Sequence, residues 1–106
     1  MAKGTGLQPN TLLQVPDFVQ AVVLASSVGQ AFDVPAGMRY VAFSMNADFW
    51  VKYGSTAALI PSTSTTAGTS SPELNPTARD IRSTSLTTGL SIIAPAATSG
   101  SMAWYT

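Results

Sequence analysis

Acid–base chemistry in this chain would rest on five carboxylates, Asp17, Asp33, Asp48, Glu73 and Asp80. The closest two in sequence, Glu73 and Asp80, stand seven positions apart. A fold can still bring distant carboxylates together, as a glycosidase does across a scissile bond, so spacing alone does not exclude a pair. Their settings read otherwise: Asp17 follows Pro16, and Asp33 and Asp48 fall on the polar faces of strands, where turn and surface residues belong. There is no histidine, which removes the usual general base, the Ser-His-Asp triad and the commonest metal ligand together. Cysteine is absent too, so disulfides and the normal zinc ligand sets are excluded. Gly4 and Gly6 lack the strand-to-helix context and the downstream Lys-Ser/Thr of a phosphate-binding loop. No catalytic residue, metal or cofactor is expected, and the chain reads as a binding or structural protein.

Binding chemistry is better represented. Trp50 alternates against Phe49, Val51 and Tyr53. If those three face the core, Trp50 points outward between Asp48 and Lys52, where a large aromatic suits a protein interface; otherwise a loop covers it. Trp104 is either a core plug on the last strand or part of a subunit contact. With Leu12, Leu13 and Leu74 as apolar anchors in polar surroundings, Trp50 and Trp104 are the candidate partner-binding residues. A different class of function, carbohydrate binding, would use Trp50, Tyr53 and Trp104 as a stacking platform.

The elements that must position these residues are short strands. Phe18 to Ala25 is rich in β-branched types and bounded by Pro16-Asp17 and Ser26-Ser27-Val28-Gly29, which favours a strand over a two-turn helix. Gln30 to Val34 alternates, Pro35-Ala36-Gly37 turns the chain, Met38 to Met45 alternates again, and Asn46-Ala47 precedes a further alternation from Phe49 to Tyr53. Tight links between consecutive strands predict an antiparallel meander over 30–53. Further candidates are an edge strand at 11–15, a short strand at 55–60, Arg79 to Ser83, Leu90 to Ala94, and Met102 to Tyr105 after a Ser99-Gly100 turn. Positions 61–72 hold eight Ser or Thr residues and no large apolar side chain, the composition of a loop. Seven to eight short strands predict an all-β, antiparallel β-sandwich or jelly-roll. The expected organisation is an extended segment at 1–16 and a single domain at 17–106, with 1–16 and 61–76 free to lie along a partner.

A chain of 106 residues can bury roughly two-thirds of its unfolded surface, enough for one core. Charged residues make up 9% against a usual level of about 25%, and the net charge is zero. So little charge leaves a surface poorly protected against association, which favours coverage by neighbours and a homo-oligomer, trimer or dimer. The one basic cluster, Arg79 and Arg82, is interrupted by Asp80, so nucleic-acid binding is not expected. The longest apolar run, Ala21 to Ala25, is far too short to span a bilayer, and the opening Met-Ala-Lys-Gly-Thr-Gly carries no apolar signal core; neither membrane insertion nor secretion is expected.

The run Phe-Asp-Val-Pro-Ala-Gly-Met-Arg-Tyr-Val-Ala-Phe-Ser from Phe32, continuing to Asp-Phe-Trp-Val-Lys-Tyr-Gly at Gly54, resembles small virion structural proteins of tailed bacteriophages. So do Glu73 to Arg79, Leu90 to Pro95 and the terminal Ala103-Trp104-Tyr105; together these cover most of the chain from residue 30 onward. The motifs are turns and core alternation, not chemical signatures, and no functional residue carries over. The resemblance implies a β-sandwich or jelly-roll of the capsid cement or decoration type, which binds the major capsid protein from outside and braces the shell. It implies a protein made in the host cytoplasm that resides on the virion surface. A tail, fibre or head–tail joining component has the same composition and fold.

Overall fold

The structure, a computed structural model, describes residues 15–54, 56–65, 71–81 and 89–106. Among them are eight strands and no α-helix: β1 (Phe18–Leu24), β2 (Gln30–Asp33), β3 (Tyr40–Met45), β4 (Trp50–Tyr53), β5 (Glu73–Leu74), β6 (Ala78–Asp80), β7 (Gly89–Ile93) and β8 (Thr98–Tyr105). They form two four-stranded antiparallel sheets, ordered β1-β8-β3-β6 and β2-β7-β4-β5. The expected all-β sandwich is what the chain adopts.

Alternation along the strands builds the core. Val22, Val41, Met102 and Trp104 of the first sheet meet Val51, Leu90 and Ile92 of the second, all without appreciable exposure. Each such side chain contributes about 1.5–3 kcal/mol relative to remaining in water. Phe43 of β3 and Phe49, which immediately precedes β4, have ring centroids 5.9 Å apart and planes tilted by 46°, a favourable aromatic geometry.

The meander over 30–53 is not formed. Its strands occur where alternation places them, but β2 and β4 belong to one sheet and β3 to the other. The turn itself is real: the Met38 N–H donates to the Pro35 carbonyl at 3.1 Å, and Gly37 takes φ +80°. The connection between Asp33 and Tyr40 is long enough to cross the roughly 10 Å between sheets, so it carries the chain over instead of folding it into a hairpin.

Ser99-Gly100 is not a turn but the interior of β8, which pairs with β1 on one side and β3 on the other. Glycine stands there because the backbones approach closely: a Cβ on Gly100 would fall on the Ser44 carbonyl oxygen and within 2.7 Å of the Met45 Cα. Residues 56–60 are not a strand. They cross the outer face of the second sheet, where the Ala58 N–H donates to the Ser91 hydroxyl at 3.0 Å and Ala58 is buried. The polar strand expected at 79–83 is shorter, Ala78–Asp80, with Arg82 and Ser83 outside the described residues, as are 11–14 of the expected edge strand and 66–70 of the Ser/Thr-rich stretch. Residues 73 and 74 of the stretch expected to lie free along a partner are β5.

Candidate interaction surfaces

Four of the five carboxylates are held by neighbours within the fold. Asp17 accepts from the Thr106 N–H at 3.0 Å, and Asp48 from the Asn75 side-chain amide at 3.0 Å. Arg39 donates to Asp80 through Nε and Nη2, at 3.0 and 2.9 Å. Glu73 of β5 accepts from Arg79 of β6, Nε at 3.1 Å, and from the Tyr53 hydroxyl at 3.0 Å, tying an edge strand of one sheet to an edge strand of the other. The Arg79 hydrogen bond holds the Glu73 carboxyl below its ordinary value, and burial followed by the bond to Glu73 pushes the Tyr53 phenol up. The remaining carboxylate, Asp33, is, among the described residues, the one ionisable side chain lining the groove between β2, β7 and the 57–59 segment. The Ser91 hydroxyl there accepts the Ala58 N–H at 3.0 Å. Among the described residues, no cluster of three carboxylates could hold a metal ion.

Trp50 lies on the outer face of the second sheet, half-buried, between its register partners Leu74 and Ile93. Leu74 is 48% exposed, so the Trp50–Leu74 pair is an outward apolar spot on β4 and β5. Asn75 holds this edge: its side-chain carbonyl accepts the Phe49 N–H at 3.0 Å, and its backbone N–H donates to the Phe49 carbonyl at 2.9 Å. Trp104 lies elsewhere. It has no exposed surface and donates Nε1 to the Gln20 side-chain carbonyl at 2.8 Å, so it is a core plug and not a contact residue. Its inward place follows from register: Trp104 pairs with Phe18 and Val41 on the face that looks into the sandwich. Leu12 and Leu13 lie outside the described residues. The three rings of the carbohydrate platform do not share a surface. Trp50 and Tyr53 point to opposite faces of β4, and Trp104 is buried in the other sheet.

Sequence reasoning missed the face around β1. Val19 and Val23 are 57% and 72% exposed and Ala21 lies between them, while Val22 and Leu24 on the other face are buried. The signal was present: Phe-Val-Gln-Ala-Val-Val-Leu is apolar on both faces, unlike β3, whose outer face carries Tyr40 and Ser44. Beside β1 the outer face continues through Ser99, Ser101 and Ala103 without a charge. Leu59, 73% exposed on the segment crossing the second sheet, was likewise not foreseen.

Comparison with protein-family models, with curated proteins and with solved structures finds no match.

Proposed function

We propose that this chain is a non-enzymatic virion structural protein of a tailed phage that binds the major capsid protein shell from outside and stabilises it. The observation that carries the binding part is the Trp50–Leu74 spot, an aromatic and a leucine presented together on a sheet face that the strands hold rigid. Interface cores are enriched in such aromatics and depleted in charge. The reading is also supported by the engagement of four carboxylates in pairing within the fold, which leaves little to do chemistry. The phage assignment rests on the resemblance of the 32–54, 73–79, 90–95 and 103–105 runs.

We read the strand order, β1-β8-β3-β6 facing β2-β7-β4-β5, as an eight-stranded jelly-roll. That architecture recurs in viral capsid and lectin domains, so it agrees with a virion role without specifying one. The partner is the major capsid protein or another virion protein, the location is the particle surface, and the protein acts as a homo-oligomer with no nucleic-acid or membrane partner. In this reading the shell is contacted by Trp50 and Leu74, helped by 1–16 and the Ser/Thr-rich stretch.

Two measurements test this. Mass spectrometry of purified virions should find hundreds of copies per particle; a handful would assign the chain to the tail or connector, and absence would overturn the virion role. Shells incubated with Leu74→Glu, a change at an exposed position, should lose most decoration and the added heat resistance relative to the intact chain. Unchanged decoration by Leu74→Glu and by Trp50→Ala would remove this spot from the interface.

A further inference from the structure

We propose that β1 is a self-pairing edge: two copies of the chain join antiparallel along β1, about a twofold axis at Ala21, to make one continuous eight-stranded sheet. β1 is the end strand of its sheet, and no described strand pairs with its far side. Its seven residues carry no charge, no proline and no glycine. Long apolar edges of this kind are normally blunted by lysine, proline or a bulge, because their free N–H and C=O groups recruit another strand.

Ladder geometry says which groups are free. In an antiparallel sheet the N–H and C=O of one residue point to the same neighbour, and those of the next residue to the other. The Asn46 N–H donates to the Ser99 carbonyl at 3.0 Å, so Ser99, Ser101 and Ala103 of β8 direct their backbone groups to β3. Gly100, Met102 and Trp104 then face β1, and the Trp104 carbonyl does accept from the Asp17 N–H at 2.8 Å. Their register partners Val22, Gln20 and Phe18 complete that ladder. The groups left pointing to the open edge belong to Val19, Ala21 and Val23.

These three residues specify the occupant. Run antiparallel against itself with Ala21 opposite Ala21, β1 places Val19 opposite Val23 of the second copy and Val23 opposite Val19. Each pair exchanges both of its backbone hydrogen bonds, so every free N–H and C=O of the three residues is satisfied. The outer side chains meet as Val–Val, Ala–Ala and Val–Val, β-branched pairs suited to a strand junction. No charge on β1 opposes itself, and a chain of zero net charge has no overall repulsion to overcome. A segment whose free edge is its own complement gives a closed, isologous dimer. The seam lies on the sheet opposite the Trp50–Leu74 spot and does not depend on the virion reading.

Sedimentation velocity of the full chain, over a concentration series into the high micromolar range, should show a monomer–dimer equilibrium. Val19→Lys combined with Val23→Lys sets like charges opposite each other at both valine pairs and should abolish the dimer. Both positions are exposed, so circular dichroism and thermal unfolding of the monomer should be retained. Val19→Lys combined with Val23→Glu sets opposite charges in the same places and should restore the dimer, now weakened by salt. A wild-type chain that stays monomeric throughout, a dimer that survives the double lysine change, or a folded Lys/Glu variant that does not re-associate would each overturn the proposal.

Discussion

Glu73 accepts hydrogen bonds from Arg79 and Tyr53 at once and so links β4, β5 and β6 through one carboxylate. Because the Arg79 hydrogen bond lowers its pKa in the folded state, the clasp stabilises the fold fully above the ordinary carboxylate value of 4.5. It is lost as the pH falls through the lower, folded value. The pair is more than a third exposed, so water and salt keep its contribution small. Denaturant midpoints of the wild type and Glu73→Gln should therefore differ at neutral pH and converge as the pH is taken well below 4.5; a gap independent of pH would rule the ionised clasp out. This network was not legible in the sequence, where Glu73 and Arg79 are a loop residue and a strand residue six positions apart. Trp104 was legible as an aromatic on a strand, but only its register partners place it inside and give its Nε1 a partner in Gln20.

At the scale of the element, β8 shows what alternation does and does not carry. Met102 and Trp104 announce a strand, and that part was readable; Ser99-Gly100 has turn composition and was read as one. The structure uses Gly100 for close approach to Ser44 and Met45 instead. Gly→Ala in a strand ordinarily stabilises by about 0.4–1 kcal/mol when the backbone geometry permits, through the unfolded state. Gly100→Ala should do the reverse, because the new methyl meets backbone that two ladders hold in place, and overpacking of this kind costs about 1–3 kcal/mol. Urea unfolding reads the sign directly, and a stabilised variant would refute the close-packing account. The short links at 35–37 and 46–47 were found from Pro, Gly and Asn, yet their destinations were not. Turn chemistry sets the local bend, whereas the choice of sheet depends on which inward faces must meet.

For the whole molecule, strands distant in sequence are neighbours: β1 pairs with β8, β2 with β7, and β3 with both β6 and β8. Closing such loops costs chain entropy before the paired contacts offset it, so all-β sandwiches fold in roughly milliseconds to seconds. Refolding followed by tryptophan fluorescence in a stopped-flow mixer should fall in that range, and a microsecond relaxation would contradict the topology. The same non-local pairing leaves β1, the first described strand, at a sheet edge, which is what exposes Val19 and Val23.

The all-β class, the positions of most strands, the inward faces of β2, β3 and β4, and the lack of the usual catalytic and metal-ligating side chains were legible in the amino-acid order. These follow from residue type and period-two alternation, which are local. Tertiary packing set which strands are neighbours, that Trp104 is interior while Trp50 is half-covered, that residues 56–60 cross a sheet face, and that no described strand pairs with the far side of β1. Alternation states which side of a strand avoids water, but pairing partners are selected by the joint packing of two sheets around one core, and no single segment contains that information.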